Sequence, residues 1–215
     1  QTASVGIMDY GFDFYAAQFF ACAEKPLMLA WMQMWDRNIP SRRYGFAGML
    51  TLPRYVENRD GRFYQTPVPL DAFVARREVF EKENFDGRIE TSAEIYQLRF
   101  SGRDVRRFSL ALKKGAGEQT RLYTENGYLV FDRSESGEKI GGAEKDALSL
   151  SQIRKMPLSD GGSFELTVVA DRFSVEIFSD GRSMTNTVYP KETSNGIQLD
   201  IAARAFTMEI GEISL

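Results

Sequence analysis

The chain has 215 residues, 43% of them apolar, enough to fill the core of one large or two small domains. Its 27 Lys and Arg against 30 Asp and Glu give a net charge of -3 with both signs scattered, which argues against nucleic acid as a partner. There is no histidine, so Ser-His-Asp and Cys-His catalysis, His-ligated metals and imidazole bases are excluded together.

No basic-then-apolar leader opens the chain, and its apolar runs fall far short of the roughly 20 residues of a membrane helix, so no membrane partner is expected. The single cysteine, Cys22, lacks a partner for an internal disulfide and no zinc-like spacing surrounds it. Neither metal nor cofactor is implied, and a reducing, cytoplasmic compartment fits. Between Ala21 and Ala23, Cys22 reads as buried filler rather than a nucleophile.

The chain starts on Gln1 and soon reaches DYGFDFYAAQFF, residues 9–20. At period two Asp13, Tyr15, Ala17 and Phe19 share one face, and Phe12, Phe14, Ala16, Gln18 and Phe20 the other. Both faces carry large apolar groups. Such a strand belongs inside a sheet covered on both sides, and the eight residues before it are too few to cover it. Next come PLMLAWMQMW, GMLTLPRYVE and GRFYQTPV, giving four short antiparallel strands in sequence, a meander of the kind found in a propeller blade or a sandwich.

Within WMQMW, strand alternation puts Trp31, Gln33 and Trp35 on one side and Met32 and Met34 on the other. Two readings stay open: an indole platform for sugar rings, or plain core, which is the commoner use of Trp and Met at this period. Asp9, Asp13 and Glu24 are candidate acids near these strands, and a retaining glycosidase needs two carboxylates about 5 to 5.5 Å apart. Nothing in the spacing shows that any two meet, and an aspartate beside glycine, as in DYG, is more often a turn former.

QTPVPLDAF, with two prolines, marks a hinge at residues 70–75. Beyond it the strands lengthen: ETSAEIYQLRFSG, RRFSLALKK, TRLYTENGYLVFDRS, FELTVVADRFSVEIF and IQLDIAARAFTMEIGEISL all alternate. Asn126-Gly127 predicts a type I′ hairpin. Asp171-Arg172 predicts another, with Phe173, Val175 and Ile177 inward and Glu176 on a solvated face. Arg76-Arg77, Glu81-Lys82-Glu83 and Lys113-Lys114 read as solvent-facing edges. About eight strands at this spacing predict a two-sheet antiparallel β-sandwich.

Taken together, DYGFDFYAAQFF, LAWMQMW, GMLTLPR and QTPV, followed by GYLVFDRSESG and LTVVADRFSVEIFSDGRSMTNTVYP, resemble the end of the catalytic domain and the C-terminal domain of glycoside hydrolase family 32, the β-fructosidases. The resemblance implies an all-β fold: residues 1–69 as the final part of a five-bladed β-propeller and residues 76–215 as the sandwich. It implies a parent that hydrolyses terminal β-fructofuranosyl linkages with retention. The family's nucleophile (WMNDPNG-like), acid/base (EC) and transition-state (RDP) segments do not occur here, so no catalytic residue is assigned and the chain alone is expected to be inactive.

What the resemblance carries over is a set of pocket positions. Tyr15 and Trp31 match residues that wall the fructose pocket, and Asp9 matches one near the leaving-group subsite. Ala17 stands where proline is frequent, Ala30 where glycine is usual, and Phe46 where a tryptophan precedes LPR. The determinants that choose among fructosides are expected mainly outside this chain. The expected partners are a fructoside in the parent enzyme and, for residues 1–69, the missing propeller portion or another copy of the chain. A different class of reading makes the sandwich a carbohydrate-binding module, although residues 71–215 contain no tryptophan. A third makes it a structural brace or dimer interface.

Overall fold

The computed structural model describes residues 6–21, 25–142, 151–159 and 162–214, so Cys22 and Glu24 lie outside the described residues. Strands β1 (Tyr15–Phe20), β2 (Leu27–Met32), β3 (Met49–Leu50), β4 (Arg54–Arg59) and β5 (Arg62–Pro67) form one antiparallel sheet in the order β1-β2-β4-β5, with β3 also paired to β2. The expected meander is present, with its third run broken in two. Pro53 has no N–H for a ladder, and the amides before it turn elsewhere. Thr51 N–H donates to Ala30 O at 3.0 Å and Leu52 N–H to Glu176 Oε1 at 2.6 Å.

The remaining strands are β6 (Val74–Ser92), β7 (Tyr96–Gly115), β8 (Glu118–Glu125), β9 (Tyr128–Glu135), β10 (Ile153–Pro157), β11 (Phe164–Ala170), β12 (Ser174–Ser179), β13 (Arg182–Thr187) and β14 (Gly196–Ile213). They form one nine-stranded hydrogen-bonded sheet. Three long strands span it, with β14 between β6 and β7. On its far edge β7 pairs twice: Tyr96–Gly102 with β11, and Ser109–Gly115 with β8. The wings β11-β12-β13 and β8-β9-β10 therefore diverge and fold onto each other over one apolar cluster that includes Leu98, Phe100, Leu110, Phe131, Val168 and Ile177. The result is the expected two-layer sandwich, made by bending a single sheet.

The bend has a local cause. Asn84 on β6 and Asp104 on β7 take φ values of 47° and 50°, a region that Asn and Asp tolerate better than most residues. The pairing of β14 with both neighbours skips Arg204 at the same level, and its guanidinium lies 3.6 Å from Asp104 Oδ2.

The opening aromatic stretch is not one strand. Tyr10 N–H donates to Ser183 O at 2.8 Å, and Phe12 and Asp13 N–H both donate to Thr185 O, at 2.9 and 3.0 Å. Phe12 is thereby sunk into the sandwich core, its ring 6.3 Å from that of Phe131. Gly11 permits the approach, because a Cβ there would overlap the Thr185 backbone. The blade strand starts only at Tyr15, and Ala16, at φ 50°, forms a bulge that breaks the expected alternation.

Other expectations divide. Asn126 and Gly127 adopt φ of 49° and 79°, as a type I′ hairpin requires. At the next hairpin Asp171 Oδ1 accepts from Phe173 and Ser174 N–H at 2.8 and 2.7 Å, so β12 begins at Ser174. Val175 and Ile177 face the core, whereas Phe173 joins a separate cluster with Ile140, Tyr189 and Met49. Lys113 is not at a solvent edge: a bulge with φ 49° buries it, and its Nζ donates to Glu94 O at 2.7 Å. Burial brings its pKa down to about 8. The segment at residues 70–75 holds a short 3-10 turn, Asp71–Phe73, whose Asp71 carboxylate accepts from Arg77 and Arg99 at 2.9 and 2.7 Å.

Candidate functional site

Three aromatic rings gather at the outer end of the β1–β2 ladder. Tyr15 and Trp31 are cross-strand partners, with ring centroids 6.2 Å apart. Trp35 lies beyond the end of β2, 5.0 Å from Trp31 and 6.2 Å from Tyr15. Gly48, at φ 81°, passes close to the indole, and a Cβ there would overlap the ring of Trp31. Trp35 is 76% exposed and Tyr15 43%. The rings offer apolar faces and an edge-to-face frame suited to sugar C–H groups, with no carboxylate among them to transfer a proton.

The alternation expected of WMQMW is only partly kept. Trp31 and Trp35 meet, and Met32 is buried on the other side. Gln33 does not join the rings: β2 ends at Met32, and the Gln33 amide turns inward toward Asn38 O at 3.5 Å. Asp9 does not join them either. It lies in the interface between blade and sandwich, where Oδ2 accepts from Ser183 Oγ at 2.7 Å, Thr185 Oγ1 at 2.8 Å and Arg54 Nη1 at 3.2 Å. Its Oδ1 accepts from Gly11 and Thr185 N–H at 2.8 and 2.9 Å.

Arg54 is the hub of that interface. Its Nη2 donates to Glu176 Oε2 at 2.5 Å and Thr185 Oγ1 at 3.0 Å, and its Nη1 to Gln65 and Ser183 at 3.0 Å each. The guanidinium also lies 5.0 Å from the ring of Phe178 and 5.2 Å from that of Phe14. Glu176 is thus buried, not solvated, because the blade covers the outer face of β12 that would otherwise meet water. Burial pushes its pKa up to about 7, against the pull of Arg54 and the Leu52 amide.

A second buried pair repeats the theme. Asp13 Oδ2 accepts from Arg133 Nη1 at 3.0 Å and from the N–H and Oγ1 of Thr187, each at 2.8 Å. The Arg133 guanidinium stacks 3.8 Å from the Phe12 ring. Neither Arg54 nor Arg133 was singled out by sequence reasoning. The available signal was the Ser183, Thr185, Thr187 alternation on β13, a polar face with no reason to be polar unless something charged docks on it.

Two family models match the chain: "Glycosyl hydrolases family 32 N-terminal domain" over residues 1–67 and "Glycosyl hydrolases family 32 C terminal" over residues 73–214. The chain belongs to glycoside hydrolase family 32. Among curated relatives it is 31% identical over 196 residues to a sucrose-6-phosphate hydrolase of Zymomonas mobilis, covering 85% of this chain and 36% of that protein. It is 30% identical over 216 residues to a raffinose invertase of Escherichia coli, covering 89% and 40%. The sucrose-6-phosphate hydrolase structure from Lactobacillus gasseri superposes with a TM-score of 0.80 at 20% identity, over 96% of this chain and 42% of that one. The family 32 chain thus spans about two fifths of the length of these relatives. Tyr15 and Trp31, the two expected pocket walls, stand together as cross-strand partners, Tyr15 exposed and Trp31 half-buried. Phe46 turns away from them, its ring 6.2 Å from that of Phe173 on the sandwich.

Proposed function

We propose that the chain is the C-terminal portion of a retaining β-fructofuranosidase of the sucrose-6-phosphate hydrolase or invertase type, acting in the cytoplasm on sucrose, its 6-phosphate or fructans. The observation that carries this reading is the Tyr15–Trp31–Trp35 ring group, with Tyr15 and Trp35 exposed, in a chain of this family. Tyr15 and Trp31 wall the fructose ring, fixing its orientation by C–H contacts and excluding water on one side. Asp9, held by five donors inside the interface, serves to seat the blade. The sandwich braces the blade through Arg54 and Arg133.

In the parent, a carboxylate nucleophile attacks the anomeric carbon while a general acid protonates the leaving oxygen, and water then releases fructose. Both groups come from the propeller portion that precedes this one. The chain by itself is inactive, since loss of nucleophile and acid together removes many powers of ten in rate. Sucrose hydrolysis is to be assayed with the chain alone and with a co-produced N-terminal propeller portion. Turnover appears only in the combination; turnover by the chain alone would sink the reading.

A further inference from the structure

Next to the aromatic group an open groove of about 580 Å³ crosses from the blade to the sandwich. The blade contributes Trp35, Asp36, Arg37 and Asn38, and the sandwich Lys139, Gly141 and Gly142. The sandwich side is held firmly. Asn38 N–H donates to Gly141 O at 3.1 Å, Gly141 N–H returns to Asn38 Oδ1 at 2.5 Å, and Arg37 bridges Gly142. Glu138 N–H donates to Tyr189 O at 3.0 Å, its carboxylate pairs with Arg43, and Ile140 is buried against Phe173 and Tyr189. Lys139 therefore projects from a segment fixed on both sides.

The charges in the groove do not balance. Asp36 lies 3.7 Å from Arg37 Nε, a loose ion pair that cancels in net charge, although Asp36 Oδ1 and Arg37 Nε and Nη1 have no hydrogen-bond partner among the described residues. Lys139 is exposed and has no ion pair or hydrogen bond among the described residues. Gly141 and Gly142 carry no side chains to crowd the floor. An indole plane beside an uncompensated ammonium suits one class of ligand: a sugar ring that carries an anionic substituent.

We infer that Lys139 of the sandwich is a specificity-determining residue that binds the phosphate of a phosphorylated hexose seated against Trp35. The inference rests on the fructosidase reading for the identity of the neighbouring ring, and it gives the sandwich a direct part in choosing the substrate. An ammonium–phosphate contact here is partly open to water, so it adds discrimination rather than most of the affinity.

The chain contains only two tryptophans, Trp31 and Trp35, so tryptophan emission, excited selectively away from the tyrosines, reports on this site. The full chain and its Lys139→Ala and Lys139→Arg variants are to be titrated with glucose 6-phosphate, glucose and fructose, with thermal melts to show that each is folded. Glucose 6-phosphate half-saturates the emission change at a concentration about fivefold below that of glucose, a preference lost in Lys139→Ala, kept in Lys139→Arg and weakened by added salt. Equal responses to the two sugars, no response to glucose 6-phosphate, or a preference that survives Lys139→Ala overturns the assignment. A response to fructose without any phosphate preference removes only the role of Lys139; silence toward fructose counts against the fructosidase reading itself.

Discussion

Arg54 has no exposed surface and serves two carboxylates, Asp9 and Glu176, with a single positive charge. Burial, with a smaller push from the neighbouring Asp9 carboxylate, is why Glu176 holds a proton so readily despite Arg54. An unfolded glutamate titrates near 4.3, so between about 4.3 and 7 the folded chain binds a proton that the unfolded chain does not. The sign follows: the stability from this group is complete at the acid end of that window and declines as pH rises through it. Carboxylates with lowered pKa, such as Asp71 beside Arg99 and Arg77, lose their contribution only as pH falls below the window. Thermal melts from pH 4.5 to 7.5 are the measurement: the wild type loses stability toward neutrality and Glu176→Gln flattens the profile. A wild-type profile that rises with pH would exclude the proposed proton.

For single elements, the central bend is the instructive case. If Asn84, Asp104 and Arg204 set the fold of the sheet, then Asp104→Val places a β-branched residue at φ 50° and removes the partner of Arg204. The expected cost is about 2 kcal/mol in urea unfolding, with an unchanged m-value; a cost within error would show that the bend is set elsewhere. Strands with one apolar face were legible in the sequence, as was the Asn126-Gly127 turn. β6 was not, because an edge strand with charges at Arg76, Arg77, Glu81, Lys82 and Glu83 gives no apolar period to read. Tyr15 and Trp31 could be named as pocket walls only from the family's motifs; that they are cross-strand partners came from the structure. Glu176 was misread because parity tells which side of a strand a residue faces, not whether another domain covers that side.

Across the whole molecule, the blade is the part with the most exposed aromatic surface. Tyr15, Phe19, Trp35, Leu50 and Phe63 are all more than 40% exposed, and β1 is the end strand of its sheet among the described residues. Exposed aromatic surface beside a sheet edge invites association. The double substitution Phe19→Lys, Leu50→Lys is expected to lower concentration-dependent self-association of the chain severalfold by light scattering, while leaving the melting temperature within a few degrees. Unchanged association would place the sticky surface on the sandwich instead.

The seat of Phe12 also sets an order of events. Asp9 and Thr185, which bond in the finished fold, are 176 residues apart, so a ribosome releases the aromatic segment long before the hairpin that receives it. The strands β1–β5 pair within residues 15–67, whereas the segment that carries Asp9 and Phe12 has its seat only once β13 is made. Until then its aromatic side chains lack the contacts that bury them in the finished fold.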